Sequence, residues 1–374
     1  MPGSLDVPTL TDGVVTLRAP REDDVLGSWE QCQDPLSQQW TTVPIPYSLA
    51  DARDWITRVI PGFWASGTEW HFVIEHAGQF AGTITLRPEV SVAAGGRAEL
   101  AYGSHPRVRG TGAVERAARL LLDWGFAERS LTTVVWWANR GNWASRKLAW
   151  RLGFAIEGTA RQYLPHRDEL RDAWLGTLLR DDERLPRHPW YDVPRITGSG
   201  IVLRRHRDGD VPRVLEACTD ERTAYWLGGL PSPYTLETAR RFVRDRSEGM
   251  ARGTDLHWMI ADPETDAMLG TVSLMHLDQG AAEVGYWAHP DARGRGVMTE
   301  AVRLAVRHAF IDTEDGGLGV ERLTLYSAVD NAASVHVAEA NGFRRTGLER
   351  QAISCRDGKH DMVGYDLLAG ELQL

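Results

Sequence analysis

Two hexapeptides put glycine where a backbone can do chemistry that side chains cannot. One is Arg107-Val108-Arg109-Gly110-Thr111-Gly112 and the other is Asp291-Ala292-Arg293-Gly294-Arg295-Gly296. Each follows a strand-like run and opens an amphipathic one, "AVERAARLLLDWGF" or "VMTEAVRLAVRHAF". Glycine lets successive N–H groups point into one spot without Cβ interference. The free amides and the positive end of the following helix favour an anion, and a diphosphate is the natural guest. A P-loop is excluded because Gly-x-x-x-x-Gly-Lys-Ser/Thr is absent. A dinucleotide fingerprint needs a third glycine where the chain has Glu115 or Thr299. Asn142-x-x-Ser145 and Asn331-x-x-Ser334 read as capped starts of a later helix. The three cysteines, Cys32, Cys218 and Cys355, form no CxxC pair, and there is no HExxH. A disulfide framework and a dedicated metal site are therefore not expected.

The elements that hold these residues come twice. "VVTLRAPREDDV" at 14–25 is echoed by "GIVLRRHRDGDV" at 200–211, and "PYSLADARDWI" at 46–56 by "PYTLETARRFV" at 233–243. "HFVIE" pairs with "HWMIA", "AELAYGSHP" with "AEVGYWAHP", and "NWASRKLAWRLGF" with "NAASVHVAEANGF". A repeat this long means two copies of a whole domain, not a solenoid. We expect domains at 1–185 and 200–374, joined by a linker at 186–199 whose Trp190 and Tyr191 pack against a domain. Each copy reads as mixed α/β: a strand, a helix near Arg21 or Asp208, a helix capped by Ser48 or Thr235, three strands, then the glycine loop and its helix. A strand, a helix and two closing strands complete it.

Composition narrows the function. A net charge of −9 leaves no basic excess for nucleic acid. No apolar run approaches the ~20 residues that span a bilayer, and the N-terminus has no export pattern, so the cytoplasm is the expected compartment.

Both copies resemble the GNAT superfamily of acetyl-CoA-dependent N-acetyltransferases, in its RimJ/RimL-like branch. The resemblance rests on the pyrophosphate loop pattern Arg/Gln-x-x-Gly-x-Gly/Ala, on "EVGYWAHPDARGRGVMTEAVRLAVRHAF" and on "NAASVHVAEANGFRRTG". Residues 107–112 fit the loop pattern throughout, while Asp291 departs at its first position. The resemblance implies an α/β (α+β) fold, each domain a mixed, mostly antiparallel twisted sheet flanked by helices. It implies acetyl-CoA held by Arg107, Val108, Arg109, Gly110, Thr111, Gly112 and Asn142 in one copy. In the other the set is Ala288, Arg293, Gly294, Arg295, Gly296 and Asn331. Backbone amides of strands 100–106 and 284–290 then meet the pantetheine arm. Many members carry a tyrosine acid where this chain has Ala149 and Ala338, which leaves Ser145, Ser334 or water to protonate the thiolate. Glu99 and Glu283, at the start of those strands, are the candidate acceptors of the amine proton. Trp136, Trp137, Tyr286 and Trp287 are expected beside the substrate.

The reaction implied is direct attack by a primary amine in a ternary complex, with two coenzyme sites per chain. An aminoglycoside-like small molecule and a peptide or protein α-amine remain open as acceptors. A coenzyme-binding regulatory protein is the rival of another class. The second copy fits the branch more closely and is the choice if one copy alone is catalytic. A monomer or homodimer is expected.

Overall fold

Valine and leucine alternate with polar residues in the opening strands, so one face is buried and the other is not. Val15 and Leu17 are fully buried on this pattern, as are Phe72 and Ile74. The computed structural model describes residues 7–372. By contacts the chain forms two units, dividing after Arg187.

The first unit runs β1 (Leu10–Thr11), β2 (Val15–Arg18), α1 (Asp24–Gln33), α2 (Pro35–Trp40), α3 (Leu49–Asp54), a π-helical stretch (Trp55–Val59) and α4 (Ile60–Ser66). Then come β3 (Trp70–His76), β4 (Gln79–Val90), β5 (Arg97–Ser104), α5 (Ala113–Glu128), β6 (Thr133–Asn139), α6 (Trp143–Arg151), β7 (Ala155–His166) and β8 (Glu169–Leu179). The strands form one sheet in the order β1-β2-β3-β4-β5-β6-β8-β7. All its pairings are antiparallel except β5 with β6.

The second unit repeats this plan with β9 (Ile196–Thr197), β10 (Val202–Arg204), α7 (Val211–Thr219), α8 (Glu221–Trp226), α9 (Leu236–Arg252), β11 (Leu256–Ala261) and β12 (Met268–Asp278). It continues with β13 (Ala281–Ala288), α10 (Val297–Phe310), β14 (Arg322–Ala328), α11 (Ala332–Ala340), β15 (Arg344–Cys355) and β16 (Gly358–Leu368). The sheet order is β9-β10-β11-β12-β13-β14-β16-β15, with β13 and β14 the parallel pair. Before it, Tyr191 donates its amide to the Met250 carbonyl, and the Trp258 indole donates to the Pro194 carbonyl at 3.0 Å.

Two local features differ from the expected elements. The first helix starts at Asp24, not Arg21, because the Asp24 carboxylate accepts from the Arg21 amide at 2.7 Å and twice from Arg18 at 2.8 Å. Arg204 and Asp210 repeat that buried pair. The helix capped by Ser48 widens into the π stretch just before Pro61, whose ring lacks an N–H and crowds the preceding turn. Its counterpart α9 has no proline and runs unbroken from the Thr235 cap.

Helices α5 and α6 cover one face of the first sheet, where Trp136 and Trp174 are fully buried. Residues of α1, α3 and α4 cover the other face around Ile56, Ile60, Val73 and Phe80.

Candidate active site

β5 and β6 pair only at Arg97–Glu99 with Thr133–Val135. Beyond that point both strands continue without pairing to each other, so the sheet opens between them. β13 and β14 part in the same way after Glu283 and Thr324. Each glycine loop sits at the end of the parting strand. Gly110 and Gly112 have φ of +76° and +83°, and Gly294 and Gly296 have +68° and +72°, a left-handed backbone that side-chain residues rarely adopt. A Cβ at any of the four would meet nothing within 4 Å. The mouth of each loop is therefore open, and the glycines serve conformation and approach.

The free donors are fewer than the motif implies. The amides of Val108, Arg109 and Thr111 already donate to the carbonyls of His105, Pro106 and Val108. Among the described residues, the amides of Gly110, Gly112, Val114 and Glu115 donate to no protein group. Those of Gly294, Gly296, Val297 and Met298 are equally free. The arginine side chains brace the loop. Arg107 donates to the Phe80 carbonyl. Arg109 meets Asp34 at 2.5 Å and Ser37 at 3.2 Å, while Arg293 meets Asp220, and Thr223 at 2.7 Å. Asp34 and Asp220 in turn cap α2 and α8. Arg295 donates to the Asp291 carbonyl at 3.2 Å. These loops suit a diphosphate bound by amides at a helix start.

Asn142 caps α6 by accepting from the Ser145 amide at 3.2 Å, and Asn331 caps α11 from Ser334 at 3.3 Å. The serine hydroxyls do not stand alone. Tyr102 Oη lies 2.7 Å from Ser145 Oγ, which also accepts from the Trp136 indole at 3.1 Å. Tyr286 Oη lies 3.0 Å from Ser334 Oγ. Burial pushes both tyrosines up to about 12, so each pair is neutral near pH 7. With Ala149 and Ala338 on the helix, the phenol comes from the strand.

In the first unit a cavity of about 890 Å³ joins these parts. It runs from Gly110 and Gly112 past Asn142 and Ser145, through the parted sheet edges, to Thr83, Thr85 and His71 on the opposite face. Trp136 and Trp137 both line it, the second stacked on Tyr163 at 4.3 Å. Several lining groups lack hydrogen-bond partners: Gln31 Oε1, Asn139 Oδ1 and both His71 ring nitrogens. Unpartnered buried polar atoms are rare, and these belong to side chains that line the cavity. Glu99 is not in the wall. It stands beside Arg87, 3.7 Å away, its pKa raised by burial.

The second unit arranges the same face differently. Trp287 occupies the register position of Gly103, since it faces Thr271 as Gly103 faces Thr83. It packs with Phe242 into the apolar cluster of α7 and α9. Met275 lies against Gly285, where a Cβ would meet its Cε at 2.5 Å. Glu283 faces Met275 by register, with its pKa raised by burial. Tyr286 packs its ring toward the core and only its hydroxyl reaches Ser334.

His257 of β11 matches His71 but is satisfied, with Nδ1 2.7 Å from Ser273 Oγ. Burial lowers it from 6.5 to about 4. Between those values the unfolded chain takes up a proton that the folded unit refuses, so the histidine's contribution, present above pH 6.5, is lost as pH falls toward 4. The expected loss is about 3 kcal/mol at most. His257→Gln flattens the fall of melting temperature across that interval; an unchanged slope by calorimetry would count against this assignment.

A sheet that parts between two parallel strands, with a loop of bare amides leading into a helix beside the gap, defines an acyl-coenzyme A-dependent transferase. The family model described as Acetyltransferase (GNAT) domain matches residues 15–155 and again 201–344. The chain belongs to this family, once per unit; it is an N-acetyltransferase and its cosubstrate is acetyl-CoA. "Probable N-acetyltransferase YjcK" of Bacillus subtilis is 32% identical over 123 residues, 32% of this chain and 65% of that protein. The ribosomal-protein-serine acetyltransferase of Escherichia coli is 29% identical over 131 residues, 34% of this chain and 69% of that protein. The solved structure of Mycobacterium smegmatis RimJ in complex with CoA-disulfide shares 19% identity, with a TM-score of 0.44, over 50% of this chain and 92% of that one. Among the described residues no helix is long and apolar enough to cross a membrane.

The cavity-lining places of His71 and Gln31 and the hydrogen bond of Tyr102 with Ser145 escaped the sequence reading. The repeated histidine of "HFVIE" and "HWMIA" was the available signal for the first of these.

Proposed function

We propose that the first unit acetylates a primary amine held on the α1–α3 face of its sheet, by direct attack in a ternary complex, and that both loops take acetyl-CoA. The carrying observation is the continuous cavity from the bare-amide loop to His71 and Thr85. The sequence favoured the second copy, but there Trp287 stands where the first copy has Gly103. Bound acetyl-CoA supplies a thioester, an acyl group already activated toward nitrogen. The chain's own residues do the rest. The amides of Gly110, Gly112, Val114 and Glu115 anchor one end, and the sheet face holds the amine, so that the two reactants meet in a fixed geometry. Ser145, hydrogen-bonded to Tyr102, stands at the gap with a proton to give.

The walls at the amine end include Trp40, Tyr47, Trp55 and Trp137. They favour an amine carried on a compact aromatic or apolar body. A peptide α-amine is the second reading, supported by the relative named for ribosomal-protein serine. Thiol release with acetyl-CoA and three acceptors (phenylethylamine, a serine-initiated peptide and an aminoglycoside) separates them. If none is acetylated while coenzyme A binds, the catalytic reading is wrong and the coenzyme-binding regulator stands. With the best acceptor, Ser145→Ala lowers kcat by roughly 100-fold and Tyr102→Phe by less, about 10-fold, because the phenol acts through the serine. Equal kcat in all three proteins would remove the pair from the mechanism.

A further inference from the structure

We infer that His71 is the group that takes the proton from the substrate ammonium in the first unit, with Glu69 as its positioning residue. The inference rests on the acetyl-transfer reading above and names a base within that cavity.

The geometry carries it. His71 on β3, Thr85 on β4 and Ala101 on β5 stand opposite one another by register, so they share one sheet face. Two strand spacings, ~10 Å, separate the histidine backbone from the strand that parts from β6. An imidazole and a primary amine together span that interval. The ring is buried, with 4% of the residue exposed, yet it lines the cavity. Trp55 meets it edge-on at 5.4 Å and Phe63 stacks at 6.3 Å, which fixes its plane. Neither nitrogen has a hydrogen-bond partner. Glu69 Oε2 lies 3.6 Å from Nδ1, beyond hydrogen-bond length but near enough to stabilise a charged ring. Thr85, whose counterpart Ser273 holds His257, instead donates to Glu69 at 3.4 Å. The first copy therefore leaves free the ring that the second copy ties down.

The charged neighbours set its state. Glu69, which immediately precedes β3, favours the protonated ring, Arg87 from β4 opposes it, and Arg87 is held by Glu69 at 3.3 Å and Glu99 at 3.7 Å. From the π stretch and α4 its ring meets Trp55 and Phe63, and its carbonyl accepts from the Trp64 indole at 2.6 Å; none of the three titrates near neutral pH. Tyr47 and Cys32 also line the cavity, and burial raises both, the thiol to about 11. Burial holds His71 below 6.5, so it is neutral and able to accept at pH 7. Glu99, by contrast, is outside the wall and paired with Arg87.

The step balances. One ammonium proton passes to His71 and the nitrogen lone pair forms the N–C bond. As the C–S bond breaks, the nitrogen's second proton reaches the departing sulfur through Ser145. His71 then releases its proton to water, so each turnover yields amide, thiol and one proton.

The test is the pH profile of kcat/KM for His71→Gln, measured by thiol release in the full chain with the best of the three acceptors. We expect a fall of roughly 100-fold at pH 7. The acid limb moves from below pH 6.5 to the amine's own pKa, because only pre-deprotonated amine then reacts. Coenzyme A affinity and melting temperature stay at wild-type values. A variant that keeps the wild-type limb overturns the inference. Independently, in wild-type protein without acetyl-CoA, the labelled His71 ring resonance moves when the acceptor binds; no movement at saturation also overturns it. Absence of thiol release by the wild type with all three acceptors overturns the acetyl-transfer reading itself.

Discussion

Gly103→Trp lowers kcat/KM for the amine by about 1,000-fold, equivalent to ~4 kcal/mol, and leaves coenzyme A binding in place. The substitution writes the second copy's residue into the first, since Gly103 and Trp287 hold the same register position. A Cβ at Gly103 would meet Gln31 Nε2 at 2.6 Å, the far end of a flexible side chain, so the backbone need not move. The indole then fills the space between Thr83 and the amine-side walls. Gln31 aligns with Ala217, next to the matching pair Cys32 and Cys218. Gln31→Ala with Gly103→Trp therefore transplants the complete large-for-small exchange and is the better-folded version of the test. Calorimetry for coenzyme A and thiol release read the two consequences separately. Full amine turnover in the double variant would show that this face does not hold the acceptor.

Gly110→Asp weakens coenzyme A at the first unit by roughly 100- to 1,000-fold, and Gly294→Asp does the same at the second. Hydrogen bonds to a charged group contribute ~1.5–3 kcal/mol each, and a carboxylate at the loop mouth repels the diphosphate they serve. Aspartate adopts the left-handed backbone more readily than most residues, and open space surrounds the new Cβ, so the fold survives. Gly110→Asn carries the shape without the charge and weakens binding less. Titration calorimetry counts about two sites in the parent, one in each aspartate variant and none in the double variant. Two full-strength sites in Gly110→Asp would place the diphosphate elsewhere.

The parts of this protein that were legible in the sequence are those fixed by local chemistry. The glycine pairs need a left-handed backbone, Asn142 and Asn331 need only their own helix starts, and the internal repeat doubled each signal. Ser48 and Thr235 marked helix starts for the same reason. The rest depends on distant segments meeting. Tyr102 reaches Ser145 across 43 positions, and strand alternation said only which face the ring takes. Arg109 looked like a phosphate ligand until Asp34, 75 positions away, claimed its guanidinium. His71 and His257 look alike in sequence; a threonine-to-serine difference on the next strand and the groups around each decide which ring is free. The π stretch before Pro61 is the reverse case, a local effect of one proline that the counterpart helix α9 lacks.

The hydrogen bonds before Ile201 have a practical corollary for anyone dissecting the chain. Similarity between the copies begins near residue 200, yet Tyr191, Pro194 and the short strand Ile196–Thr197 are already attached to Met250, Trp258 and β10. A truncation that starts where homology starts strips an edge strand and orphans the Trp258 indole. One that starts at His188 retains both. The clear sequence repeat and the packed unit thus have different first residues, about a dozen apart.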